Sequence, residues 1–110
     1  MVPLPDWGVR IMSKWTFLTN HAQVLLCIAR NQRATAREIA ATVGITERAV
    51  QRILQDLEAD DYISRFRDGR QNYYEVHPER PMRHPAQHGH LIQELLALLV
   101  PLAEEGANDV

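Results

Sequence analysis

The stretch from Thr35 to Asp61 constrains the fold more than any other part of the chain. Thr35 is followed three residues later by Glu38, the capping-box spacing in which the hydroxyl and the carboxylate each satisfy a free backbone donor. This spacing predicts a helix that begins near Ala36. Gly44 stands where a residue with positive φ ends a helix at little steric cost. We therefore expect the first helix to end there.

A second helix is predicted directly after this glycine. Thr46 is a residue type that caps helix starts, and apolar residues then recur at helical period to about Asp61: Val50, Ile53, Leu54 and Leu57. Two helices so close in sequence must cross at a steep angle, which requires a small residue such as Ala40 where they touch. The pattern predicts a helix-turn-helix, although an ordinary pair of core helices contains similar spacings.

The composition is typical of one soluble globular domain. The chain has 110 residues, of which 45% are hydrophobic and 24% charged, enough for a real core. The single cysteine, Cys27, excludes an internal disulfide and a cysteine-based zinc site, and its apolar neighbours predict a buried thiol. No membrane-spanning run and no leader are found. We expect a cytoplasmic protein that does not meet a membrane.

The charge distribution favours nucleic-acid binding more than the net charge does. The net charge is −2, but residues 75–110 hold six acidic residues against two arginines, which leaves the remainder at +2. Distribution matters more than the sum because a duplex meets only one face of a protein. Seven arginines lie in or beside the helix-turn-helix and the segment after it: Arg33, Arg37, Arg48, Arg52, Arg65, Arg67 and Arg70.

Two predicted elements precede the helix-turn-helix. Residues 1–18 are expected to form an irregular arm whose tryptophans, Trp7 and Trp15, dock on the core or on a partner chain. A helix should then begin at Thr19 or Asn20, with Gln23 at the capping-box position for Asn20, and run to about residue 31. We expect its inner face to carry Ala22, Leu25, Leu26 and Ala29.

Residues 62–76 change from helical to alternating periodicity and predict a hairpin. The turn signal is Asp68-Gly69, flanked by β-favouring residues. The base should be anchored by Ile63, Tyr74 and Val76, with three arginines near the tip: Arg65, Arg67 and Arg70. Such a hairpin after a helix-turn-helix is a wing. The alternative is a solvated hairpin whose arginines only protect an edge from aggregation.

The carboxyl-terminal part predicts a linker and one helix. Residues 77–87 are rich in proline and histidine, and a helix is expected over 88–105, with Pro101 ending or kinking it near Val100. The helix is apolar on two stripes, one of Leu91, Leu95, Leu98 and Leu102 and the other of Ile92, Leu96 and Leu99. One stripe can cover the domain and the other needs a partner. We assign the first stripe to a homodimer interface, with the choice between the two left open.

With this order of elements, the chain resembles the winged-helix transcriptional regulators of the MarR-like and ArsR-like kind. The match covers residues 19–76 and rests on the helix-turn-helix residues above, Tyr62-Ile63 and the wing residues 69–74. The resemblance implies an α+β, mainly α fold: a three-helix core with a hairpin wing and an added dimerisation helix at 88–105. The chain is shorter than a full MarR-like protein and lacks the paired cysteines of metal-sensing ArsR-like ones, so a small-molecule effector is not supported.

The resemblance also implies how double-stranded DNA would be bound. The helix at residues 46–61 would enter the major groove, and the wing at 62–76 would touch the backbone or minor groove. Carried over by position, the residues that face the bases are Thr46, Glu47, Arg48, Gln51, Arg52 and Gln55. Arginine suits guanine and glutamine suits adenine. Phosphate contacts are expected from Thr35, Arg37, Arg65, Arg67 and Arg70.

Other site chemistries find less support in the sequence. His84, His88 and His90 invite a metal interpretation, but Pro85 between the first two prevents the assumption of one helical face. No glycine-rich phosphate loop or paired inward carboxylates are found. We expect a non-enzyme without cofactor or metal. Two function classes remain: a homodimeric DNA-binding regulator, and a winged-helix module that uses the same surface for protein contacts.

Overall fold

The computed structural model describes residues 15–108, with side chains up to residue 100. Within this range the chain forms four α-helices and one antiparallel hairpin: α1 (Asn20–Arg30), α2 (Ala36–Val43), α3 (Glu47–Ala59), β1 (Ile63–Asp68), β2 (Gln71–Val76) and α4 (Ile92–Asn108). A short 3-10 helix spans Pro85–Gln87. The predicted mainly α architecture with a hairpin wing is confirmed.

Helices α2 and α3 lie where the caps predict them. The Thr35 backbone N–H donates to Glu38 Oε1 at 2.9 Å, and the Glu38 N–H donates back to Thr35 Oγ1 at 3.0 Å. Gly44 ends α2 with a φ of 87°, a conformation open to glycine. The Ala49 N–H donates to Thr46 Oγ1 at 3.0 Å and starts α3. Local hydrogen bonds therefore set both helix starts.

The two helices cross over a small residue. Ala40 is only 7% exposed, and Val50 and Ile53 of α3 are buried with it in one core. The same core includes Leu25 and Ile28 of α1. Helix α1 contacts α2, α3, α4 and β2. It is the central helix on which the helix-turn-helix is built.

The buried face of α1 differs from the prediction. Its buried residues are Val24, Leu25, Leu26 and Ile28, whereas Ala22 and Ala29 are only half-buried. Because elements pack against α1 from several sides, it buries a wider face than a surface helix does. Thr19 is its cap and accepts from the Ala22 N–H at 3.2 Å, so the helix begins at Asn20, one of the two predicted starts, but Asn20 is not the cap that was predicted with Gln23.

Cys27 is half-buried rather than buried. Burial nonetheless raises the pKa of its thiol, and the nearby Arg30 charge opposes this only in part. The thiol therefore stays protonated at neutral pH, which is the less nucleophilic form.

The hairpin pairs Ile63 with Val76 at its base and Asp68 with Gln71 at its tip. The two central residues of the turn are Gly69 and Arg70, one position later than the predicted Asp68-Gly69. Gly69 has a φ of 66°, and glycine at the first central position is typical of type II′ turns. The predicted anchors are confirmed, since Ile63 and Tyr74 are buried and Val76 packs against the core.

The last helix starts and ends later than predicted. It begins at Ile92 rather than near residue 88, because Leu91 occupies the cap position and its N–H donates to Glu94 Oε2 at 2.8 Å. Leu91 also pairs with Pro81 of the linker in an isolated β-bridge. Pro101 does not end the helix, which continues to Asn108. The residues on both sides of Pro101 are mostly strong helix formers.

The two stripes of α4 differ in burial. Ile92 belongs to the core and Leu96 packs against it, so the second stripe covers the domain. In the first stripe Leu91 and Leu95 are half-buried and Leu98 is 64% exposed, while the side chain of Leu102 lies outside the described part. Within the described range no helix is both long and apolar enough to cross a bilayer.

The described end of the amino-terminal arm does not dock on the core. Trp15 is 68% exposed and Phe17 92% exposed. Their rings meet edge to face at a centroid distance of 5.0 Å. The predicted docking of Trp15 on its own domain is therefore wrong, while Trp7 lies outside the described residues.

Candidate nucleic-acid interface

The outward face of α3 is formed by the residues that the sequence assigns to base contacts. All six are exposed: Thr46, Glu47, Arg48, Gln51, Arg52 and Gln55. The opposite face of the helix is buried through Val50, Ile53, Leu54 and Leu57. Helical periodicity thus gathers the polar side chains into one stripe, concentrated in the first two and a half turns.

Two arginines lie near the start of α3, and four acidic residues lie near its end and in the turn that follows it. Among the described residues, the guanidinium groups of Arg48 and Arg52 have no carboxylate within 4.0 Å. The four acidic residues at the other end each have a basic neighbour: Asp56 with His21 (2.8 Å), Glu58 with Arg65 (3.4 Å), Asp60 with Arg83 (3.0 Å) and Asp61 with His77 (3.3 Å). The arginines near the start of the helix remain available to an external anion.

The start of α2 presents further exposed polar groups. Thr35 caps the helix by accepting the Glu38 N–H, and its hydroxyl keeps its own proton for a further acceptor. Arg37, in the first turn, is exposed. Free backbone N–H groups and the helix dipole also favour an anion at this end.

The arginines of the wing lie at different distances from its tip. Arg70 lies in the turn, and Arg67 lies two residues before Gly69, with its Nε donating to the Gly69 carbonyl at 3.2 Å. Arg65 is not near the tip as predicted. It pairs across the hairpin with Tyr74, close to the base, and its guanidinium faces Glu58 of α3.

Arg33 makes the contacts that sequence reasoning missed. Its Nη2 lies 3.0 Å from Asp68 Oδ2, and its Cζ lies 4.8 Å from the centroid of the Tyr73 ring. The sequence placed this arginine near the motif but indicated no partner, since Asp68 is 35 residues away. No local spacing signals such a pair.

Comparison with known families agrees with this geometry. Residues 19–64 match the model of the winged helix-turn-helix DNA-binding family. The chain has the winged helix-turn-helix fold. The matched range runs from the cap of α1 into β1. No curated protein matches the chain in sequence.

Solved structures similar to this winged helix-turn-helix include transcription regulators. MepR, a transcription regulator of the Staphylococcus aureus multidrug efflux pump MepA, is 15% identical with a TM-score of 0.52 over 96% of this chain and 72% of MepR. The antimony-specific transcriptional repressor AntR is 22% identical with a TM-score of 0.51 over 98% of this chain and 88% of AntR. The zinc-responsive MarR family member ZitR of Lactococcus lactis is 18% identical with a TM-score of 0.47 over 66% and 62%. The likeness to MepR and AntR confirms the expected resemblance to winged-helix regulators at the level of fold.

Two of the three histidines considered as metal ligands, His84 and His90, have local partners. His84 Nδ1 accepts the Ala86 N–H at 3.0 Å and caps the 3-10 helix. His90 Nδ1 lies 2.7 Å from Glu94 Oε1. This hydrogen bond, together with the Leu91 N–H, lowers the pKa of Glu94. In the described part of the chain, no three histidine, cysteine or acidic side chains are grouped as metal ligands.

A cavity that the sequence did not indicate is lined by residues of three helices. It has a volume of about 270 Å³ and lies between the start of α1, the end of α3 and the start of α4. Its walls are mainly apolar and include Leu25, Leu57, Ile92 and Leu95. The His21–Asp56 pair lies at its rim.

Proposed function

We propose that this protein is a homodimeric transcriptional regulator that binds double-stranded DNA in a sequence-specific manner. The first turns of α3 would lie in the major groove, with the wing tip on the adjacent backbone or minor groove. One observation carries the proposal: unpaired arginines and exposed glutamines occupy the start of α3, whereas the acidic residues at its end already have basic partners.

The exposed side chains at the start of α3 can form hydrogen bonds with the edges of bases. Arg48 and Arg52 can each donate two hydrogen bonds to O6 and N7 of guanine, and Gln51 and Gln55 can bond adenine in the same bidentate way. Thr46 and Glu47, at the start of the helix, are exposed beside them. Glutamate can accept from the amino group of cytosine. These six residues form the proposed reading face.

The surrounding groups suit phosphates. Arg37 and the Thr35 hydroxyl lie at the start of α2, and Arg67 and Arg70 lie at the wing tip. Backbone contacts of this kind fix the register of a protein on the duplex but carry no sequence information. Arg65 is a weaker candidate because Glu58 already neutralises it in part.

The homodimer is proposed from the exposed part of α4. Leu98 is 64% exposed on a helix whose other apolar stripe covers the domain, and a second copy of the chain can bury it. Two-fold symmetry is the commonest solution for such contacts. It would place two α3 helices about one turn of DNA apart, roughly 34 Å, and would require an inverted-repeat site.

Binding to a random-sequence duplex at two salt concentrations tests DNA binding directly. Affinity should fall steeply with salt, with a logarithmic slope of about 0.9 for each neutralised phosphate. Arg52→Ala should weaken binding. Arg83→Ala removes the same charge from a residue paired with Asp60 and serves as the matched control. If the wild type binds no duplex, the proposal of DNA binding fails and the alternative of protein contacts is favoured. If Arg52→Ala binds as well as Arg83→Ala, Arg52 does not contact the duplex.

A further inference from the structure

We propose that Arg33 is a positioning residue that holds the wing tip at a fixed angle to the helix-turn-helix. This inference rests on the proposed DNA-binding function. Arg33 lies in the connection between α1 and α2, whereas its contacts lie in the distal half of the hairpin. We call Arg33, Asp68 and Tyr73 the wing brace.

The brace contacts one face of the hairpin only. Side chains alternate along a strand, and the register places Phe66, Asp68 and Tyr73 on the same face. The Phe66 and Tyr73 rings stack with centroids 5.2 Å apart and an interplanar angle of 21°. The Arg33 guanidinium lies over the Tyr73 ring and reaches Asp68. One cation therefore contacts both strands of the wing.

The connection that carries Arg33 is itself held in place. The Arg33 N–H donates to Asn31 Oδ1 at 3.0 Å, and the next residue, Ala34, is buried. The Tyr74 N–H donates to the Gln32 carbonyl at 3.0 Å, which joins the connection to the edge of β2. Arg33 thus projects from a segment fixed to the core.

The wing needs such support in its distal half. An isolated two-stranded hairpin is at best marginally stable, and Ile63, Tyr74 and Val76 anchor only its base. Asp68 directly precedes the turn residues Gly69 and Arg70. The brace therefore acts next to the arginines that would meet phosphate.

Substitution of Asp68 can distinguish a positioning role of the wing brace from a direct effect of the Asp68 charge on DNA binding. A carboxylate at the tip of a DNA-binding wing repels phosphate, so charge alone predicts that its removal strengthens binding. If Asp68 instead orders the tip through Arg33, its removal weakens binding. The two accounts predict opposite signs for the same substitution.

The test measures duplex affinity for Arg33→Ala, Asp68→Asn and the double variant. Each single substitution should weaken binding about three- to tenfold, the scale of an exposed ion pair with a cation–π contact. The affinity of the double variant should equal that of the single variant that binds less tightly, because both substitutions remove the same contact. Glu75→Gln removes an equivalent charge from the same hairpin face without a contact to Arg33 and should not weaken binding. Tighter binding by Asp68→Asn, or additive losses, would overturn the brace.

A second measurement on the free protein separates this inference from the proposed function. Loss of the brace should raise amide hydrogen exchange at Tyr74 and lower the backbone order of Gly69 and Arg70 in nuclear magnetic resonance relaxation. If wild type binds no DNA, the proposed function fails, and these amides still decide whether the brace exists. Unchanged exchange and order in both single variants would overturn it.

Discussion

His77 Nδ1 lies 2.7 Å from the backbone carbonyl oxygen of Asp61, and this contact defines the role of the imidazole. A carbonyl only accepts hydrogen bonds, so Nδ1 carries the proton, and in the neutral ring Nε2 accepts from the Ser64 hydroxyl at 2.7 Å. Asp61 has a φ of 69°, which non-glycine residues adopt only rarely. The ring at the end of β2 therefore fixes the turn between α3 and β1.

Replacement of His77 should destabilise the fold. His77→Ala removes both ring hydrogen bonds from a partly buried site and should lower the free energy of unfolding by about 1–3 kcal/mol. Urea denaturation measures the change. His88→Ala is the control because this histidine is exposed. Equal losses in the two variants would mean that the ring contacts do not support the turn.

The wing tip should contribute a sequence-independent part of the DNA affinity. Arg67→Ala with Arg70→Ala should weaken binding to all duplexes and reduce the salt slope by about 0.9 for each phosphate that is no longer neutralised. Arg65→Ala should have a smaller effect because Arg65 faces Glu58 near the base. Titrations at several salt concentrations give the slope. An unchanged slope in the double variant would remove the wing tip from the interface.

The first turns of α3 should contribute specificity. Once a cognate site is selected from random duplexes, Arg48→Ala or Gln51→Ala should cost about 1–3 kcal/mol on that site and little on random DNA. Both residues are exposed in the half of α3 that lacks paired carboxylates. Competition between cognate and random duplexes measures the difference. Equal losses on both would assign these side chains to phosphate.

The sequence predicted the parts of the fold that local chemistry decides. The bounds of α2 and the start of α3 follow from caps within four residues, so Thr35, Gly44 and Thr46 were sufficient to place them. The predicted start of α4 was wrong because it depends partly on the bridge between Pro81 and Leu91. The exposed face of α3 follows from helical period, so its candidate residues were correctly placed on the surface.

The contacts that position the wing could not be predicted in this way. Arg33 and Asp68 are 35 residues apart, and His77 and Asp61 are 16 apart. Their pairing depends on how the α1–α2 connection and the hairpin meet in space. The same applies to Arg65. The alternation of side chains along β1 predicted the face on which it lies, but its neighbour, Glu58, lies on another element. Roles that depend on contacts between residues distant in sequence could be identified only from the structure.

The start of α4 should become less stable in acid. Hydrogen bonds from His90 and from the Leu91 N–H lower the pKa of Glu94 below its ordinary value. This stabilisation is fully present above the pKa of an unfolded glutamate and is lost as the pH falls through the lower folded pKa. The protection factor of the Leu91 amide, which compares its exchange with the intrinsic rate at the same pH, should therefore fall over that acidic range. Glu94→Gln should remove this dependence, and an unchanged acid response in the variant would assign it to other groups.

The last prediction concerns assembly through the exposed stripe of α4. Leu98 is 64% exposed, and the described arm adds exposed apolar area through Trp15 and Phe17. Burial of a leucine side chain contributes about 1.5–3 kcal/mol. Several such side chains on each of two copies can offset an association cost of several kcal/mol. We expect the chain to sediment as a homodimer at micromolar concentration.

Leu98→Asp should convert this homodimer to a monomer, because dimerisation would bury an unpaired carboxylate in an apolar contact. Gln93→Asp is the matched control, since it adds the same charge to an exposed position elsewhere on α4. Circular dichroism should give the same helical content for both variants. A monomeric wild type would remove both the dimer and the inverted-repeat site. A Leu98→Asp variant that stays dimeric would place the interface away from this stripe, and the two α3 helices would then take a different spacing on DNA.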